Sequence, residues 1–201
     1  MAKEYIPNIC WLKVTDYMLG WLEYELSGTI MLKGRRIVCV MHLEGAREIL
    51  REMDTIDELT SPKDVDLAMS ATCRNIIEAG MKMDADGMQK TYGITREMLR
   101  LFVPMEVPQM CITSGGVLRP WTNDTCFSHQ QASRMLKLLR EEFWQAVGRF
   151  AEQYAIEHQG ERYAQEEMVE AFCELTKTDD IYVPAIRREW QRRMKRSSLT
   201  Q

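Results

Sequence analysis

Histidine is scarce in this chain, three residues in 201, and none has thiol or carboxylate neighbours at metal-ligand spacing. Zinc coordination is therefore not expected, and no metal ligand is assigned. The six cysteines (Cys10, Cys39, Cys73, Cys111, Cys126 and Cys173) form no C-x-x-C pair. They read as reduced thiols packed like small apolar residues, not as a disulfide framework. There is no phosphate-binding glycine loop, because "SGG" is followed by "VLRPW" instead of a lysine and a helix. No long apolar run exists either: Ile9 to Leu26 is interrupted by Lys13, Asp16, Glu23 and Glu25, too polar to cross a bilayer. "MAKEYIPNICWLKV" lacks the basic run and apolar stretch of a signal peptide. These absences set the expectation of a cytoplasmic protein with no membrane partner, no cofactor and no internal repeat.

What is present is ordinary globular material. Hydrophobic residues make up 45% and charged residues 28%, so the chain is not of the disordered class. Its length suits one large domain or two small ones with a real core. The 15 methionines suit an adaptable core. Charge is unevenly spread. From Pro184 onward Arg187, Arg188, Arg192, Arg193, Lys195 and Arg196 face only Glu189, a net of +5. With −4 for the whole chain, the preceding 183 residues carry −9. The body is acidic and the tail basic.

Local pattern gives the elements. "CWLKV", 10–14, is extended, and Thr15 or Asp16 caps a helix to about Leu26, which "SG" ends. "RRIVCVMHL", 35–43, reads as a strand, paired with Thr29–Leu32 across "KG". Apolar residues from Glu44 to Met53 return to helical spacing. "SPKD", 61–64, opens another helix, with Ser61 as cap and Pro62 at the first position. Prolines exclude helix across 104–121, where "SGG" marks a hairpin turn. From Ser128 to Glu157, Leu136, Leu139, Phe143, Val147, Phe150 and Tyr154 recur every three or four residues. That is a long amphipathic helix. Helices over about Arg162–Leu175 and from Pro184 complete the chain. The expected fold is mainly α (α+β with a minor β component), with one or two short hairpins. A single domain, 1–201, is expected; a subdivision would run 1–60 (small α+β part), 61–121 (helix-turn-helix-like part with the hairpin) and 122–201 (helical part).

Residues 84–103 match helix-turn-helix spacing. Met88, Tyr92, Ile94, Leu99 and Phe102 take the inner positions around Gly93, within a short helix read over Tyr92–Pro104. Thr95 caps the second helix, and Arg96 and Arg100 project outward. The hairpin follows where a winged variant places its wing. Against DNA contact stands charge: between Asp84 and Trp121 four cations meet four carboxylates, whereas DNA-binding surfaces are basic. The competing reading is a helical hairpin packed inside a domain.

Other constellations carry less. "DADG", 84–87, has the composition of a calcium-loop start but puts Gly93 where the bidentate carboxylate belongs. "DTCFSH" offers Cys126 and His129 as thiol and imidazole, with Asp124 or Ser128 as helix caps the plainer reading. His42 reads as a core residue of its strand and His158 as a complement to its helix C-terminus. No catalytic residue is assigned. In the tail, Ile186, Trp190 and Met194 form an apolar stripe on a basic helix. In the plainer reading the stripe docks the helix and the arginines are solvated and complement its dipole; in the others Arg187, Arg188, Arg192 and Arg193 reach phosphates or an acidic partner, or the tail docks on its own acidic body or on a neighbouring subunit. Two function classes follow. One is a non-enzymatic accessory protein or regulator contacting nucleic acid through Thr95, Arg96, Arg100 and the tail arginines. The other is a helical scaffold binding a protein partner or a second copy. An unrecognised enzyme is third.

Overall fold

The computed structural model describes residues 8–32, 34–55, 100–113, 115–122, 125–159 and 165–198. The helix expected from "SPKD" lies outside them. In chain order the strands are β1 (Ile9–Lys13), β2 (Ser27–Leu32), β3 (Arg35–Val38), β4 (Asp54–Thr55), β5 (Phe102–Glu106), β6 (Met110–Ile112), β7 (Leu118–Pro120) and β8 (Thr125–Cys126). The helices are α1 (Leu19–Trp21), α2 (Ala46–Arg51), α3 (His129–Glu157), α4 (Gln165–Thr176) and α5 (Val183–Ser198). The chain divides into two compact units. The first holds Met1–Thr15 and Leu26–Leu138, the second Asp16–Glu25 and Leu139–Gln201.

The first unit is built on a mixed sheet of order β1-β5-β3-β2. β1 and β5 run antiparallel, with Trp11 opposite Pro104, while β3 and β5 are parallel through Val38 and Met105. Cys10, Trp11, Leu12, Phe102, Val103 and Met105 are all buried, so β1 and β5 are covered on both faces. Continuous apolar runs such as "ICWL" suit that position, where alternation would leave polar groups inside. β2 and β3 form the expected hairpin, Leu32 opposite Arg35, with Gly34 at φ 76° in its turn. The Arg35 guanidinium donates to the carbonyls of Phe102 and Arg100 and lies over the Trp11 ring.

Three expectations need correction here. The chain is not mainly α: the four-stranded sheet, with two further two-stranded ladders, makes it an α+β protein. Short strands buried on both faces lose the alternation that marks a strand, so their contribution is undercounted from pattern alone. The strand expected over 35–43 ends at Val38, and His42 lies in the turn beyond it instead of in the core. The helix expected over Tyr92–Pro104 cannot reach its end, because Phe102–Glu106 is β5 and Phe102 is buried opposite Lys13. The hairpin is where the glycines predicted it: β6 pairs with β7, and Gly116 takes φ 75°.

The second unit is helical, and α3 begins in the first unit and continues into it after Leu138. Asp16–Leu26 is not one regular helix but a 3₁₀ turn, the single turn α1 and a π-helical turn. α3 is a continuous 29-residue helix, one residue shorter at its start than its periodicity suggests. Its first turn carries a reciprocal cap. Ser128 Oγ accepts from the Gln131 amide at 3.3 Å, and Gln131 Oε1 accepts from the Ser128 amide at 2.8 Å. Leu139, Phe143 and Val147 are buried as the stripe requires, while Leu136, Phe150 and Tyr154 are half-buried. Phe143 is the hub of an aromatic cluster, its ring edge-on to Tyr17, Trp21, Trp144 and Phe172 at centroid distances of 5.0–5.7 Å.

α4 ends in a Schellman motif closed by an unusual residue. Thr178 donates to the Cys173 carbonyl at 2.8 Å and Lys177 to that of Glu174 at 3.2 Å. Lys177, not a glycine, holds the left-handed conformation at φ 55°. Asp179 Oδ1 then accepts from the Ile181 amide, capping the 3₁₀ turn Asp180–Tyr182 that leads into α5. Gly20 lies so close to this corner that a Cβ there would sit 2.4 Å from the Thr176 carbonyl oxygen.

Two stability measurements follow. Phe143→Ala removes the hub of a close-packed cluster and is expected to cost about 3–5 kcal/mol in urea denaturation. Gly20→Ala forces backbone apart and is expected to cost at least about 1–3 kcal/mol. An unchanged midpoint in either variant would contradict the packing described.

Candidate functional site: the outer face of the C-terminal helix

α5 repeats every 3.6 residues, and its tertiary packing sorts its side chains into two sets. Val183 and Ile186 are buried, and Trp190 lies half-buried against Gly148 of α3, where a Cβ would be 3.6 Å from the indole. Met194, the last member of that stripe in sequence terms, is 49% exposed, so docking stops at Trp190. Burying such side chains is worth about 1.5–3 kcal/mol each. Exposed ion pairs contribute about 0–1 kcal/mol. The apolar residues therefore hold the helix and set its rotation, and the charges flank them.

Two arginines do that flanking. Arg187 pairs with Glu166 of α4, and Arg193 donates to Glu141 of α3 at 3.1 Å. The Arg193 guanidinium also stacks over the Trp144 ring, 5.0 Å from its centroid. Neither is turned outward, although both are among the tail arginines expected at a nucleic-acid contact. Arg188 and Arg192 differ from them: both are exposed, and among the described residues Arg192 has a 3.4 Å contact with Glu189 one turn earlier. At 3.6 residues per turn, Arg188, Arg192, Lys195 and Arg196 fall within an arc of about 100° on the outer side. The tail is thus two-faced: one pair of arginines ties it to the body and an exposed basic arc faces away.

The other expected site residues are not brought to this arc by anything described. Thr95 and Arg96, with the whole turn around Gly93, lie outside the described residues. Arg100 belongs to the first unit, exposed, its carbonyl accepting from Arg35. The side chain of Cys126 is likewise outside them, and His129 lies in the first turn of α3. His158 lies stacked on Tyr154, ring centroids 4.0 Å apart, with Nδ1 2.9 Å from the Tyr154 carbonyl oxygen. That places it at the helix C-terminus, as the sequence suggested.

A feature that sequence reasoning missed adjoins the arc. Glu166, Glu170 and Glu174 repeat every four residues and so share one face of α4. With Asp180, Val183 and Pro184 they line a cleft of ≈ 510 Å³. The four-residue spacing of carboxylates in "EEMVEAFCE" was the available signal, but only the corner at Lys177 brings Asp180 beside them. Among the described residues no group of three or more His, Cys, Asp or Glu is placed to hold a metal ion. No helix among them is long and apolar enough to cross a membrane. The cleft's charge reaches inward. Burial pushes the Cys173 thiol up to about 11, and the carboxylates of Asp180 and Glu170 add to the shift. Burial also raises Cys39, helped by its hydrogen bond to Glu106. Neither environment activates a nucleophile, since the thiolate is the reactive form.

Comparison of the chain with protein-family models, with curated proteins and with solved structures finds no match.

The Cys173 shift has a consequence for stability. The folded state holds this proton to about pH 11, while an ordinary thiol loses it near 9. The contribution is therefore complete below pH 9 and lost as pH rises toward 11. The denaturation midpoint of the intact chain is expected to fall more steeply between those values than that of Cys173→Ala. Parallel curves would contradict the buried, charge-flanked thiol.

Proposed function

We propose that this chain is a non-catalytic accessory or assembly protein that docks onto another protein through the outer arc of α5. The reading rests on the division among the tail arginines. Arg187 and Arg193 are engaged within the chain, which leaves Arg188 and Arg192 displayed on a fixed, outward-facing helix surface. Two helical turns of apolar docking behind them make that display rigid, which lowers the entropy cost of binding.

Charge balance favours a protein over a nucleic acid as the partner. The unit that carries α5 has ten Lys and Arg against fifteen Asp and Glu, a net of −5. Four of those carboxylates line the cleft beside α5. A duplex is negative along its whole length, so contact with the arc would bring phosphates toward that cleft and its carboxylates. A protein can meet both, with an acidic patch for the arc and a basic one for the cleft. Nucleic-acid contact, through the arc or through Thr95, Arg96 and Arg100, is the alternative carried forward.

Fluorescence anisotropy separates the two. The probes are a labelled helical peptide with one glutamate block and one lysine block, an all-glutamate peptide, and a labelled DNA duplex. The two-block peptide is expected to bind best, and Arg188→Glu with Arg192→Glu to weaken it by about tenfold. Tighter binding of the duplex at physiological salt would replace this reading with the nucleic-acid one. Binding of none of the three would remove α5 as a contact surface.

A further inference from the structure

The two charged surfaces of the second unit are complementary to each other. The acidic cleft is formed by α4, Asp180 and the first residues of α5, Val183 and Pro184. The basic arc runs along the rest of α5, from Arg188 to Arg196. On the helix, Pro184 lies about 40° around from Arg188, so the Pro184 edge of the cleft adjoins the arc, while the buried Val183 forms its inner wall. Along the axis they are displaced: Pro184 to Arg196 spans about 18 Å at 1.5 Å per residue. One side of this unit is therefore negative at one end and positive at the other.

Such a surface fits its own copy. We propose that two copies of this chain associate about a two-fold axis, each laying the basic arc of α5 along the acidic cleft of the other. The inference rests on the docking role given to α5 above and names its partner. The two-fold axis passes between the arc and the cleft, so that no arginine of the arc faces its own copy. It brings the positive end of each surface onto the negative end of the other, and every contact occurs twice. Arg188 and Arg192 meet Glu170 and Glu174, which are exposed on the same face of α4.

Exposed apolar side chains lie on the same elements. Leu175 and Ile181, next in the chain to Glu174 and Asp180, are 43% and 68% exposed. Surface ion pairs alone are worth too little to hold a dimer together. Ile181, next to Asp180, supplies dry contact in this arrangement, and the charges set orientation and register. The internal pairs of Arg187 and Arg193 are untouched in this arrangement.

Sedimentation equilibrium of the full chain, read at low and high salt, tests the proposal. At low salt the mass is expected to approach twice the 23.5 kDa of one chain, and to fall toward one chain as salt screens the contacts. Arg188→Glu with Arg192→Glu, and separately Glu170→Arg with Glu174→Arg, are each expected to weaken association by about tenfold or more. All four positions lie on helix surfaces, and unchanged circular dichroism shows that the variants fold. An equimolar mixture of the two variants should associate again, because each reversed surface then meets its reversed complement. A single-chain mass at every concentration overturns the proposal, and so does a dimer indifferent to both reversals or a mixture that stays apart. A monomer that still binds the two-block peptide leaves the docking role of α5 standing and removes only the second copy as its partner. Loss of both removes both.

Discussion

The seating of Ile186 and Trp190 fixes the rotation of α5, and nearly everything inferred about this chain follows from that rotation. A helix with six cations in its last thirteen residues could present them in any direction in isolation. Once one apolar stripe is held against α3 and α4, the 100° step between residues assigns each arginine a side. Arg187 and Arg193 fall at the margins of the buried stripe, within reach of Glu166 and Glu141. Arg188 and Arg192 fall opposite it. The chemistry of the four side chains is the same, and packing alone gives them different work.

Phe143 supports that arrangement from the core. Its edge-on contacts gather Tyr17 and Trp21, Trp144 of its own helix, and Phe172 of α4. Trp144, held there, becomes the platform for Arg193. The corner after α4 is equally constrained. Lys177 accepts a left-handed backbone that glycine would take at less cost, and the turn it makes carries Asp180 to the carboxylates of α4. The acidic cleft is thus a product of a helix end, and the basic arc a product of a helix seat.

In the first unit the deciding constraint is the sheet. β5 is covered on both faces between β1 and β3, and this is why the helix expected over Tyr92–Pro104 gives way to strand at Phe102. The residues there are apolar in either state, and a five-residue apolar run does not distinguish a strand from a helix segment. His42 shows the same ambiguity from the other side. "RRIVCVMHL" has the composition of one strand, but only Arg35–Val38 pairs as one; the Cys39 amide still bonds the Leu26 carbonyl, and the chain then turns away.

By itself the sequence determined the elements whose signals are local. Ser128 and Gln131 start α3 because their side chains bond each other's amides. The 3.6-residue stripe carries the helix to Glu157, and the glycines at 115 and 116 turn the hairpin. It also determined that a basic tail follows an acidic body. Tertiary structure alone decided that β1, β5, β3 and β2 form one sheet, since strand partners far apart in sequence leave no local trace. It alone decided which tail arginines face outward, because a helical repeat gives relative directions and only a neighbour's surface fixes the zero of rotation. The cleft beside α5 needed both: the spacing of Glu166, Glu170 and Glu174 was written in the chain, and the corner that brings Asp180, Val183 and Pro184 to them was not.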